Sequence, residues 1–106
     1  MIKKISEPQS KTVSFFVSPD EYKDMSELAN FRGMNVATFL RYRGLMTHHK
    51  HEIKKYDTKQ KRNVLQVFRV SEDEKRRILT NAKKCGMGRN LSDFIRMAAL
   101  YESPNL

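Results

Sequence analysis

A mainly helical α+β chain made of two strand-helix-helix units is the fold class predicted by three observations. The first is an internal repeat. Val17-Ser18-Pro19-Asp20-Glu21 recurs as Val70-Ser71-Glu72-Asp73-Glu74, 53 positions later. At that offset Phe15 matches Phe68, Ala29 matches Ala82, and Gly33-Met34 matches Gly86-Met87. Two extra residues then enter the second copy. The match resumes at an offset of 55, where Phe39-Leu40-Arg41 corresponds to Phe94-Ile95-Arg96 and Leu45 to Leu100. The second observation is that each copy opens on a β-branched and aromatic run, 11–17 and 64–70, too short to be a helix. The third is a helix-start signal directly after each run: Ser-x-x-Glu, a capping box, with Pro19 at the first helical position of copy one.

In the order of the chain, the first helices run from these caps to about Phe31 and Lys84. Their inward sets are Tyr22, Met25, Leu28 and Ala29 in copy one and Ile78, Leu79 and Ala82 in copy two, with Asn81 where Leu28 would stand. Gly33 and Gly86 are the stops, since a helix commonly ends on a residue in the left-handed region. Asn35 and Asn90 then cap second helices with stripes Val36, Phe39, Leu40 and Leu91, Phe94, Ile95, Ala98. The resulting division is a basic arm (1–10), repeat one (11–46), a basic linker (47–63), repeat two (64–102) and a tail (103–106).

The 106 residues fit one domain or two very small modules, and their net charge of +9 makes a polyanion the leading partner. Charged residues at 31% and apolar residues at 39% imply a small core under a highly charged surface. The charge is uneven: 47–63 holds six basic residues against two acidic, and 64–101 eight against four. No apolar run approaches the length of a membrane span, and the opening Met1-Ile2-Lys3-Lys4-Ile5 lacks the apolar stretch of a secretory signal. Cys85 is the single cysteine, which excludes an intrachain disulfide and fits a reducing cytoplasm.

A module of about forty residues cannot bury a stable core alone, and a lone strand has two unpaired edges. Two copies answer both needs if strands 11–17 and 64–70 pair antiparallel as a ribbon over four helices. The same pairing formed between two chains is the competing arrangement. A two-stranded ribbon is one of the few elements that enters the major groove of B-DNA.

Both copies resemble ribbon-helix-helix DNA-binding modules of the Arc and MetJ type. The resemblance rests on Val13-Ser14-Phe15-Phe16-Val17-Ser18-Pro19-Asp20-Glu21-Tyr22 with Gly33-Met34-Asn35-Val36-Ala37-Thr38-Phe39-Leu40-Arg41. In copy two it rests on Val67-Phe68-Arg69-Val70-Ser71-Glu72-Asp73-Glu74-Lys75 with Gly86 and Asn90-Leu91-Ser92-Asp93-Phe94-Ile95-Arg96. As a single-chain tandem it resembles the TraY- and MobC-like accessory proteins of plasmid transfer. The fold this implies is a pseudo-dimer, a two-stranded antiparallel ribbon above four helices. The function it implies is sequence-specific binding of double-stranded DNA as a relaxosome accessory at a transfer origin, with a relaxase as candidate protein partner. Multimerisation of chains along DNA is a further possibility.

The resemblance also implies sites. The residue before each capping serine points into the helices, so Thr12, Ser14 and Phe16, with Leu65, Val67 and Arg69, face the bases. Arg69 suits guanine, and the apolar members suit thymine methyls. A register slipped by one residue would reverse every face. Because the strands differ, the target is expected to be directional, with Arg69 at one end and Thr12 and Ser14 at the other. Phosphates fall to the second-helix amino termini, Asn35-Val36-Ala37 and Asn90-Leu91-Ser92, although both asparagines would cap these helices with or without DNA. Lys11, Lys59, Lys61 and Arg62 add sequence-blind attraction.

His48-His49-Lys50-His51 invites a metal reading. With no cysteine or carboxylate pair to complete a tetrahedral site, a polar linker and no metal are expected. Cys85 reads as a small, half-buried residue. No nucleophile-base pair or Gly-rich phosphate loop is present, so neither catalysis nor a cofactor is expected. A transcriptional repressor of the same fold is the alternative function. An antitoxin would carry a folding-on-binding tail, and a membrane-surface helix over 40–55 lacks the amphipathicity it needs.

Overall fold

The computed structural model describes residues 10–103. Strand β1 (Lys11–Val17) leads into α1 (Pro19–Phe31) and α2 (Val36–Met46). A short 3-10 turn (Lys50–Glu52) opens the connector to β2 (Val64–Val70), which leads into α3 (Glu72–Lys84) and α4 (Leu91–Ala99). β1 and β2 pair antiparallel within the one chain, from Lys11↔Val70 to Val17↔Val64. The register centres on Ser14↔Val67, residues that stand 53 apart like the matched residues of the two halves. The fold is therefore α+β and mainly helical, a two-stranded sheet with four helices.

Alternation fixes the sheet's faces. Val13, Phe15 and Val17 on β1 and Gln66, Phe68 and Val70 on β2 are buried, and their neighbours are exposed. A one-residue slip would put Val17 and Val70, both fully buried, into water, and so it is excluded. The two halves interlock: α2 packs under β2 and α4 under β1. One core forms between them, with Phe39, Leu40, Phe94, Ile95, Met25 and Ile78 fully buried. Neither half has this core by itself, as expected for units so short.

The local signals act as the sequence reading expects. Ser18 and Ser71 each accept from the amide three residues on, while Glu21 and Glu74 return a carboxylate to the cap amide at 2.9 Å. Gly33 and Gly86 take φ +70° and +77°, the left-handed region where a side chain would strain the backbone. Gly44 has a different role. A Cβ there would lie 3.1 Å from Ile95 Cδ1, so its absence lets α2 approach α3 and α4. Asn81, buried under this crossing, donates its amide to the Gly44 and Leu45 carbonyls at 3.0 Å and satisfies the end of α2.

Three expectations need correction. Tyr22 is not inward but 40% exposed; the inward positions of that turn are Glu21 and Asp24, both buried. Leu79 is half-buried, not a core residue. The connector is not a free polar linker either. Tyr56 is 6% exposed within the core and donates its hydroxyl to Asp24 Oδ2 at 2.9 Å, a carboxylate oxygen that also accepts from Ser103 at 2.8 Å. Thr58 donates to Asp20 at 2.7 Å, Gln60 Oε1 accepts the Asp20 amide at 2.8 Å, and the Lys54 amide donates to the Met97 carbonyl. The segment thus runs as a strap over the start of α1 and the side of α4.

Candidate nucleic-acid interface

The outward face of the ribbon presents the six side chains expected there: Thr12, Ser14 and Phe16 on β1, Leu65, Val67 and Arg69 on β2, all exposed. The register arranges them as Thr12↔Arg69, Ser14↔Val67 and Phe16↔Leu65. This overturns the expected division of the ends. An antiparallel pair sets the start of one strand against the end of the other, so Thr12 shares an end with Arg69. The ribbon has a polar, cationic end (Thr12, Arg69), a middle (Ser14, Val67) and an apolar end (Phe16, Leu65). Phe16, Leu65 and Val67 remain 50%, 54% and 47% exposed, a large apolar area for water to cover in the free chain.

Helix amino termini flank the ribbon, and they differ. At α2, Asn35 is exposed and its Oδ1 accepts the Thr38 amide at 2.8 Å; no acid lies in the first turn, where Val36 is half-buried and Ala37 exposed. Asn35, Ala37 and Thr38 share a shallow depression with Arg41, Val67 and Arg69, so this terminus sits beside the cationic end of the ribbon. At α4, Asn90 Oδ1 accepts the Asp93 amide at 3.1 Å and its Nδ2 donates to the Asp93 carboxylate at 2.7 Å. Leu91 and Ser92 are half-buried. Asp93 places a negative charge where a helix dipole would otherwise attract an anion, so the α2 terminus is the more favourable anion site.

The paired arginines break symmetry in the same direction. Arg41 of α2 makes a two-pronged ion pair with Glu74 at the start of α3. Its counterpart Arg96 turns instead to Asp93 and to the Phe16 carbonyl, 2.7 Å away. Glu21, the counterpart of Glu74, is fully buried and taken by Arg62 of the connector, at 3.0 Å from Nε and 2.9 Å from Nη2. Among the flanking cations expected to meet phosphate, Lys11, Lys59 and Lys61 are exposed. Arg62 differs, because its charge is committed to Glu21.

The Arg41 guanidinium, followed by the Ser71 amide, holds the Glu74 carboxyl below the usual range against the opposing effect of burial. A carboxyl depressed in the folded state contributes stability above its unfolded value, about 4.3, and loses that contribution as pH falls through the folded value. Urea titrations of Glu74→Gln are therefore expected to show a shallower loss of stability below about pH 4.3 than the parent. Identical acid slopes would contradict the assignment.

His48, His49 and Glu52 come together at the start of the connector, a single carboxylate beside two imidazoles. Cys85 is fully buried where a half-buried position was expected, and burial pushes its thiol up, which suits a packing role. Tyr56 and Asp24 were missed in the sequence. The available signal was that Tyr56 is the one Phe, Tyr or Trp in 47–63.

These features define a class: a two-stranded ribbon over four helices, with an exposed outer face and helix termini beside it. The comparisons agree in part. Residues 60–105 match the family model of NikA-like mobilization proteins, described as mobilization protein NikA. That stretch is the second strand-helix-helix unit with the end of the connector, so the likeness to a mobilization protein lies in that part of the chain. No curated protein and no solved structure matches the chain. Among the described residues no helix is long and apolar enough to cross a membrane.

Proposed function

We propose that the chain is a fused ribbon-helix-helix pseudo-dimer without enzymatic activity, binding double-stranded DNA sequence-specifically with its ribbon in the major groove. Its place is beside a relaxase at a plasmid transfer origin. The observation that carries this reading is the outward ribbon face, whose polar, cationic and apolar side chains form no part of the core. The match to NikA-like mobilization proteins over 60–105 supports the transfer role over repression. So does the inequality of the ribbon's two ends, because an origin is processed in one direction and a palindromic operator is not.

In the complex, the α2 terminus holds one backbone phosphate beside Arg69, and the α4 terminus, shielded by Asp93, holds its phosphate more weakly. Lys11, Lys59 and Lys61 contribute counterion release. Binding-site selection on random duplexes tests the reading, and an asymmetric consensus is expected. A palindromic consensus would favour the repressor, and no duplex binding would reject DNA recognition altogether.

Salt dependence separates the cations. Each lost phosphate contact reduces the slope of log affinity against log salt by about 0.9. Lys59→Ala with Lys61→Ala is therefore expected to flatten the slope by about two units and to weaken all sequences alike. Arg62→Ala should leave the slope nearly unchanged and lower stability, because its partner is Glu21. Fluorescence anisotropy over a salt series, with urea unfolding of each variant, distinguishes these outcomes.

A further inference from the structure

The geometry points to a surface site for a divalent first-row transition ion, zinc foremost, formed by His48, His49 and Glu52 where α2 gives way to the connector. One ligand atom from each of these residues lies within 4.8 Å of the other two. Tetrahedral zinc with bonds of about 2.0–2.1 Å to nitrogen and oxygen needs its ligands closer than this. His48 and His49 are exposed, so modest side-chain rotations can close the gap. Their rings already meet edge to face with centroids 4.4 Å apart.

The carboxylate is oriented in advance. Glu52 Oε1 accepts the amides of His48 and His49 at 3.1 and 3.0 Å, so the acid is tied to the backbone of the two residues that carry the imidazoles. Ligating carboxylates are characteristically held in this way by further hydrogen bonds. The donor set also selects the ion. Two imidazoles and one carboxylate suit zinc, copper or nickel, whereas calcium and magnesium want oxygen throughout. Three protein ligands leave a fourth position for water. His51 stacks on His49 at 5.3 Å and lies outside the cluster. A bound ion would tie the exit of α2 to the first turn of the strap that leads to Tyr56.

The test is calorimetric titration of the full chain with zinc sulfate alone, without DNA, with circular dichroism of each variant to establish folding. One equivalent is expected to bind, to be retained in Cys85→Ser and His51→Ala, and to be lost in the double variant His48→Ala/His49→Ala. Glu52→Gln should weaken it at least about tenfold. The wild-type chain should also melt at higher temperature with zinc, since a ligand of the folded state stabilises it by mass action. Absence of binding by the wild-type chain overturns the site. So does uptake that survives the double variant, or loss in His51→Ala equal to that in the double variant.

Discussion

Tyr56→Ala is expected to cost about 3–4 kcal/mol of folding stability, near the lower end for removing a buried aromatic ring. Small domains have only about 5–15 kcal/mol to lose, so this one change in the connector consumes a large share. The reason is position. The ring is 6% exposed within the core, and its hydroxyl reaches Asp24, a buried carboxylate on α1. Tyr56→Phe keeps the ring and deletes the hydroxyl, so it should cost about 1–2 kcal/mol, the consequence of removing one donor from a buried charged acceptor. Burial, then the hydrogen bond to Asp24, pushes the Tyr56 phenol well above its ordinary value. A group raised in the folded state contributes fully below its unfolded pKa, about 10, and loses that contribution as pH rises beyond it. The parent should therefore lose stability above about pH 10 more steeply than Tyr56→Phe. Urea unfolding at neutral and alkaline pH measures both effects. A midpoint unmoved in Tyr56→Ala would mean that the connector is a free tether.

Arg69→Ala is expected to weaken binding to the preferred duplex by about ten- to a hundredfold, corresponding to about 1–3 kcal/mol for a bidentate guanine contact. The loss should be confined to one end of the site. Because Thr12 pairs across from Arg69, Thr12→Ala should relax preference at that same end. Phe16→Ala and Leu65→Ala should act at the other, where apolar contact with thymine methyls is expected. Repeating the binding-site selection with each variant assigns the ends. If Arg69→Ala relaxed both ends equally, the directional reading would fail. If Thr12→Ala relaxed the end opposite to Arg69, the antiparallel register would not be the one that meets DNA.

Much of this was written locally in the chain. Capping serines, reciprocal glutamates, left-handed glycines and capping asparagines act within a turn of themselves, so their residue types at their spacing were sufficient. Strand alternation by itself left two choices of inner face, since Phe16, Leu65 and Val67 are as apolar as Phe15, Phe68 and Val70; the resemblance favoured one of them, and packing decided it. What sequence could not supply were distances across the chain. Tyr22 was assigned inward from helical spacing, but the connector's arrival puts Asp24 inside and leaves Tyr22 in water. Arg62 was counted as a free cation because its partner, Glu21, lies 41 positions away. Arg41 and Arg96 are matched in sequence yet make different bonds, because the strap covers one half of the molecule and not the other. The composition of 47–63 is that of a solvated linker. Only the packed structure decided that its single tyrosine belongs to the core, because burial depends on what the rest of the fold leaves uncovered.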